Sequence, residues 1–339
     1  MTMTPASNPF LGTAAIIVVG IVCLLAPSLN LTTIDFLIGF AVYAALAVSW
    51  NWVCGLGGLI NMAHIAFYAI GAYSCAIAVA KLGLHPIVGI VAGVVITASL
   101  AGIVSYLSFR LQVSELYFAL LTLMLADGIG ALSRGFENEY SLGGVYLPFV
   151  NDPLRFAFLD KVYYYYALIA LVIALLLLQH WVTRSKWGLL IAAAKDSERA
   201  ASSLGVPVVR ILTSVAVASA IPPAIVGSIF ALSSLYVTAD NVFLFELLLA
   251  TVIATVIGGL GTLWGPFLGA LAITLIHELI RSGVGVTDVV GLTDMVYGAI
   301  LVCIVVLFPG GLIGAFRFVR DLFSPKPRNA VLDEKHSDA

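Results

Sequence analysis

Charge is what this sequence lacks most. Of its 339 residues only 10% are Asp, Glu, Lys or Arg, where soluble domains carry about a quarter. A nucleic-acid-binding module and a disordered chain both need far more charge, so both are excluded. No Lys or Arg precedes Lys81. The chain therefore lacks the basic start of a cleaved signal peptide, and the run from Leu11 to Leu29 is expected to stay as a first membrane span. Missing motifs narrow the chemistry. No Gly precedes any of the six lysines, so there is no phosphate-binding loop and no ATPase within this chain. HExxH and GxSxG are absent, and with them the usual signs of an intramembrane protease or esterase. The four cysteines (Cys23, Cys54, Cys75, Cys303) have no CxxC spacing and lie in apolar runs. They read as small buried hydrophobes, not as disulfides or metal ligands. Among the five histidines only His277 has an adjacent acid, Glu278, and adjacent helical residues do not face one another. No ladder of carboxylates suggests a proton pump. The chain is expected to be no enzyme and to hold no cofactor or metal.

What is present is apolar surface. Hydrophobic residues make up 61% of the chain, more than a globular interior can hide, which excludes a soluble enzyme and makes lipid the solvent. With about 20 apolar residues per span, the runs at roughly 11–29, 34–54, 60–80, 86–108, 115–132, 162–182, 211–236, 245–258, 265–281 and 294–316 predict ten. The two at 245–258 and 265–281 are short and separated by glycines, so a broken or re-entrant pair is possible there. Arg184, Lys186, Lys195, Arg199 and Arg210 fall on one side with Arg110 and the tail residues Arg317, Arg320, Lys326, Arg328 and Lys335. The other side receives Lys81, Arg134, Arg155, Lys161 and Arg281. The basic excess places both termini in the cytoplasm. Trp50, Trp52, Trp181, Trp187 and Trp264 fall at the same inner edge, and Tyr163 to Tyr166 open span six at the outer one. The fold expected is an all-α polytopic membrane protein of about ten transmembrane helices with glycine-broken hairpins. Residues 1–316 form the membrane domain and 317–339 a polar tail, read as disordered.

Gly89/Gly93, Gly261/Gly265/Gly269 and Gly310/Gly314 each place glycines four apart, the spacing with which helix backbones touch. A similar turn occurs twice, Val53-Cys-Gly-Leu-Gly-Gly-Leu59 and Val256-Ile-Gly-Gly-Leu-Gly-Thr262, hinting at an internal duplication of about five spans per half. Few polar groups lie in the spans. Asp127 sits within span five; a carboxylate there costs roughly 3 kcal/mol and normally faces a cavity or a partner. It serves either a translocation path or a structural hydrogen bond. Asn51, Asn61 and His64 flank the first glycine turn, where His64 is expected chiefly to cap backbone groups freed by the glycines. Glu246 is placed at the membrane surface.

The most informative soluble segment is Arg184 to Arg210. Its Ala, Leu, Glu and Lys content favours a helix, with Gly205 and Pro207 as a stop. Leu190, Ala193, Ala194, Ala201 and Leu204 recur at near-helical spacing, beside a charged cluster of Lys195, Asp196, Glu198 and Arg199. Such an amphipathic helix suits a groove on a partner, although composition alone also fits a solvated connector.

The segment resembles the loop by which permeases of the branched-chain amino-acid family of ABC transporters contact their ATP-binding subunits. The matching positions are Gly188, Ala193, Lys195, Asp196, Glu198, Ala200, Ala201, Gly205 and Val206. Other family marks follow in order: Gly55, Gly58, His64, Phe67, Gly71, Ala72 and Tyr73; then Tyr117-Phe118-Ala119 with Thr122-Leu123; then Gly258-Gly259-Leu260-Gly261 with Gly265-Pro266 and Gly269-Ala270; then Tyr297-Gly298 and Phe308-Pro309-Gly310-Gly311-Leu312. The departures are Ser141 to Leu147, which keep only a glycine pair, Leu189 in place of a basic residue, and Asn61-Met62-Ala63 in place of small residues. The resemblance implies a transmembrane subunit of an ABC importer in the bacterial inner membrane. It also implies a second permease, two cytoplasmic ATP-binding subunits that hold ATP and magnesium, and a periplasmic solute-binding protein. The coupling residues carried over are Gly188, Lys195, Asp196, Glu198, Arg199, Ala200, Ala201 and Gly205, and the candidate path residues are Asp127, Asn61, His64, Gly58 and Gly259. The substrate class stays open among branched-chain amino acids, other amino acids, and urea or short amides. A self-sufficient secondary transporter or channel explains the spans equally well but leaves the loop unexplained.

Overall fold

The computed structural model describes residues 9–25, 33–139, 144–148 and 160–283, with the single positions 27, 158 and 298. The tenth apolar run, the tail 317–339, Arg155, Cys303, the glycines at 310 and 314 and most of the closing motifs lie outside the described residues. Each of the other apolar runs coincides with a helix. These are α1 (Pro9–Leu25), α2 (Ile34–Asn51), α3 (His64–Ala80), α4 (Pro86–Arg110), α5 (Glu115–Glu139), α6 (Val162–Arg184), α9 (Val208–Ser234), α11 (Phe245–Gly258) and α12 (Gly265–Gly283). Between them lie α7 (Lys186–Asp196), α8 (Glu198–Ser203) and α10 (Ala239–Val242). By length and composition, six apolar helical runs among the described residues are long enough to cross a membrane, and α1, α3 and α12 are shorter apolar helices. Helix α10 and the segment after it extend α11 into one such run, Ala239–Gly258, and α11 and α12 then form a hairpin. The chain is a mostly helical, multi-pass membrane protein.

The bundle is held by close backbone approach. A Cβ at Gly71 would run into the Ala224 carbonyl, and one at Gly227 into the Tyr68 carbonyl. Thus α3 and α9 touch backbone to backbone, and Ser228 Oγ donates to the Gly71 carbonyl at 3.0 Å across the contact. Gly89 and Gly93 bring α4 onto Cys75 and Gly71 of α3, as the glycine spacing predicts. Gly269 and Gly258 do the same within the α11–α12 hairpin. Gly261 corrects the expectation. It lies in the turn before α12, with φ +74°, so only Gly265 and Gly269 share the helix. Pro222 and Pro223 lie inside α9 and are buried; without N–H groups they leave carbonyls one turn earlier without helical donors.

At the outer end, as the basic residues orient the chain, β1 (Val145–Tyr146) pairs antiparallel with β2 (Tyr236–Val237), Val145 opposite Val237. The Tyr146 and Tyr236 rings lie 4.4 Å apart, and a side-chain hydrogen bond that holds the Tyr236 hydroxyl protonated against Tyr146 raises its pKa above the ordinary value. Glu137 Oε1 accepts from Tyr73 Oη at 2.6 Å and from the Ala239 N–H at 3.0 Å, clipping α5 to α3 and α10. Lys161 and Asp35 pair at 2.7 Å. At the other end lie Arg110, Arg184, Lys186, Lys195, Arg199 and Arg210, where α4 and α6 finish and α9 begins. Trp181 and Trp187 are exposed there, but Trp50 and Trp52 are buried. These two do not belong to an interfacial belt. Their indoles bond inward, to the Asn61 carbonyl at 2.8 Å and to Gln179 Oε1 at 3.1 Å. Cys23, Cys54 and Cys75 are free thiols, Cys75 fully buried.

Candidate functional site

The two glycine turns meet. Helix α2 does not stop at Asn51 but widens into a π-helical turn, Trp52–Leu56, a feature that often marks functional sites. The chain then turns at Gly58, φ +75°. The second turn leaves α11 through Gly259 (φ +117°) and Gly261 (φ +74°). Thr262 Oγ1 closes it, donating to the Gly259 carbonyl at 2.7 Å and accepting the Gly265 N–H at 3.1 Å. Asn51, wholly buried, stitches the turns together. Its Nδ2 donates to the Thr262 carbonyl at 3.0 Å and its Oδ1 accepts the Gly261 N–H at 2.8 Å. Gln179 of α6 adds a second donor to the Thr262 carbonyl at 3.1 Å, while its own Oε1 takes the Trp52 indole. There is no space to spare: a Cβ at Gly55 would strike Asn51 Oδ1 and the Gly261 nitrogen. A hydrogen-bond network of this kind, with each member paired to another, rigidifies what it joins.

The candidate path residues separate around this knot. Asn61 is buried and structural, accepting the Ala63 N–H at 2.8 Å on its side chain and the Trp50 indole on its carbonyl. Gly58 and Gly259 are turn positions that demand positive φ. His64, 2% exposed, opens α3 with its ring 6.0 Å from that of Phe67. It caps no glycine turn; that work falls to Asn51 and Asn61. Its ring lies beside the Ser219 carbonyl without forming a well-shaped hydrogen bond, and this carbonyl is the one that Pro223, four residues on, cannot serve. Asp127 stands apart from all four. It is exposed on α5 and makes no hydrogen bond or ion pair with a described residue. Arg134 reaches toward Gly130, not toward Asp127. Glu246 is exposed in the first turn of α11.

The loop after α6 forms two helices, not one. Ser197 adopts φ −162°, ψ 106° and ends α7, then caps α8 by accepting the Ala200 N–H at 3.3 Å. The break shifts the helical phase. The inward face is Ile191, Ala194 and Ala201, while Ala193 is exposed and Leu204 is 85% exposed, contrary to the continuous stripe expected. Gly188 lets α7 fold back on α6, since a Cβ there would press on the Val182 and Thr183 carbonyls. Gly205, φ +84°, ends α8 in a Schellman motif: its N–H bonds the Ser202 carbonyl at 3.0 Å and the Val206 N–H bonds the Ala201 carbonyl at 3.1 Å. Asp196, Glu198, Arg199 and Ala200 face outward. Lys195 Nζ instead turns inward and donates to the Gly55 carbonyl at 2.6 Å. Beneath α7 lies a cleft of about 270 Å³ lined by Trp52, Gln179, Trp187, Ile191 and Ser214 among others.

Sequence reasoning missed Gln179 and Thr262. The signal for Gln179 was present, an amide closing a run of four leucines in span six. Thr262 acts chiefly through its backbone carbonyl and had none.

Comparison with known proteins identifies the family. The family described as branched-chain amino acid transport system / permease component matches residues 32–305. The high-affinity branched-chain amino acid transport system permease protein LivH of Escherichia coli is 24% identical over 296 residues, covering 81% of this chain and 92% of that protein. Permease protein LivM of the same system in Escherichia coli is 26% identical over 311 residues, covering 83% of this chain and 70% of that protein. LivM of Salmonella typhimurium is 25% identical over 302 residues, covering 80% and 68%. No solved structure matches the chain.

Proposed function

The chain belongs to the branched-chain amino acid transport system permease family, and on that footing we propose that it is one of two membrane subunits of an ATP-driven importer of branched-chain or related amino acids. In this reading ten spans cross the bacterial inner membrane with both termini in the cytoplasm, and residues 317–339 form a tail outside the membrane domain 1–316. ATP and magnesium are bound and turned over on two partner subunits. A periplasmic protein delivers substrate, and a second permease completes the path. This chain contributes conformational change, not covalent chemistry.

The observation that carries the reading is the α7–α8 unit. It rests on the bundle through Ile191, Ala194 and Ala201, and it displays Asp196, Glu198, Arg199, Ala200 and Leu204 to whatever lies beyond. An apolar side chain as exposed as Leu204, set among charges on a rigid short helix, suits a partner's groove. Such a unit serves no purpose in a transporter that works alone.

Gly205 offers the test. Nothing lies within 4 Å of a Cβ there, so Gly205→Val acts on the backbone alone and costs about 1–2 kcal/mol at positive φ. In proteoliposomes holding the whole complex, leucine uptake is expected to require ATP. Gly205→Val should assemble yet lose most of the substrate-stimulated ATPase activity, and Gly205→Asn should lose less. ATP-independent uptake by this chain alone would overturn the reading in favour of a secondary transporter.

Topology is open to a separate measurement. With the native cysteines replaced, an impermeant maleimide should label Leu82→Cys in intact cells and leave Ser202→Cys unlabelled until the membrane is opened, as the basic excess at the α7–α8 end requires. Labelling of Ser202→Cys from outside would reverse the orientation.

A further inference from the structure

Lys195 lies in the segment read as a docking surface, yet its ammonium does not face a partner. The side chain runs back under α7 and crosses the first glycine turn. A Cβ at Gly58 would sit 3.0 Å from Lys195 Cγ and 3.6 Å from Cδ, so the bare glycine leaves room for the lysine stem to lie across the turn, with the lysine still exposed. At its end Nζ donates to the Gly55 carbonyl at 2.6 Å. That carbonyl is available because the chain leaves the π-helical turn after Leu56 and the Leu59 N–H turns back to the Val53 carbonyl. It also borders the second turn: a Cβ at Gly261 would lie 3.1 Å from the same Gly55 oxygen. One charge-assisted hydrogen bond therefore joins α7 to the point where both turns touch, and Asn51 and Gln179 join that point to α2, α6 and α12.

We propose that Lys195 is a positioning residue, the tether through which the α7–α8 unit and the paired glycine turns move as one body. The inference rests on the reading of that unit as the element pushed by the ATP-binding partners. Ile191 and Ala194 give α7 only a small apolar footing, and the cleft beneath it leaves room for α7 to rock without carrying the bundle along. The tether removes that freedom. A push on α8 then reaches Gly55 and Gly261 directly and passes into the α2 and α11–α12 ends that the turns hold.

The test uses the complete transporter in lipid, with spin labels at Ser202 on α8 and at Leu260 in the second turn, both exposed positions. In the native protein and in Lys195→Arg, the distance between the labels should stay a single narrow distribution with and without ATP. In Lys195→Met it should broaden on ATP addition, and substrate moved per ATP should fall roughly tenfold, the effect of one charge-assisted hydrogen bond. Lys195→Gln, which keeps a neutral donor, should fall between. A Lys195→Met transporter that keeps either the narrow distribution or native transport per ATP overturns the tether. Leu204→Asp separates this from the underlying reading, because Leu204 faces outward and touches neither turn. If Leu204→Asp disrupts assembly while Lys195→Met is silent, the tether alone is wrong; if Leu204→Asp also leaves ATP-dependent transport intact, the docking role of the unit is wrong.

Discussion

Asn51→Leu is expected to destabilise the isolated membrane domain by about 2 kcal/mol, the loss of two part-buried hydrogen bonds at roughly 1 kcal/mol each. The substitution nearly conserves volume, so packing is not what changes. The Gly261 N–H loses the Asn51 Oδ1 acceptor, and the Thr262 carbonyl keeps only Gln179. Asn61→Ala is the matched comparison. It strands a single N–H, that of Ala63, and is expected to cost about 1 kcal/mol. Thermal unfolding of the detergent-solubilised chain should order the three as native, Asn61→Ala, Asn51→Leu. Equal midpoints for Asn51→Leu and the native chain would mean that the two turns are held by helix packing and not by the amide.

The same amide shows where sequence reading reaches its limit. The twin turns were visible as two similar glycine strings, and the helices carrying them as apolar runs. That Asn51 would join them was not visible, because the bond spans 210 positions and forms only when α2 packs on the α11–α12 hairpin. The tryptophans failed for a related reason. An indole near a span end fits a membrane interface as well as it fits a buried carbonyl, and only the presence of Asn61 and Gln179 behind Trp50 and Trp52 decides between them. In the loop after α6 the helical content was legible and the faces were not. A single extended residue, Ser197, resets the helical phase, so Leu204 left the inner stripe to which its spacing assigned it. His64 shows a third limit. Its neighbour, the Ser219 carbonyl, is freed by a proline four residues along another helix, which no local pattern around His64 could announce. The glycines of α4 were legible as a packing face through their four-residue spacing, whereas Gly71 and Gly227, which bring α3 and α9 into backbone contact, carry no such spacing.

Asp127→Asn is expected to leave the chain folded and inserted and to lower amino-acid uptake by the complex at least about tenfold, the worth of one lost charge contact. Helices α4 and α5 are the least buried of the long apolar helices among the described residues. On α4 the exposed large residues include Ile87, Val88, Val91, Val95, Ile96 and Ile103, a face suited to lipid. On α5 the exposed face carries Leu120, Leu121 and Met124 but also Asp127 and Gly128. Asp127 lies twelve residues from Glu115, about 18 Å along the helix at 1.5 Å per residue. A carboxylate at that depth costs roughly 3 kcal/mol against hydrocarbon, and no group among the described residues meets it. The α5 face is therefore the one that must turn toward a polar space or a second subunit, while α4 turns toward lipid. In the proposed importer a space shared by two permeases would be the route for substrate. An amino acid brings an ammonium that a carboxylate can hold in passing, and a neutral amide gains much less from it. Asparagine keeps the shape and loses the charge, so uptake of leucine should fall while the yield and thermal stability of the chain hold or improve. Asp127→Glu, with the charge displaced by one methylene, should raise KM more than it lowers the maximal rate. If Asp127→Asn transports leucine normally and Asp127→Ala fails to assemble, the carboxylate is a hydrogen-bonding strut between the permeases, and the contrast between α4 and α5 then marks the subunit interface without marking the path.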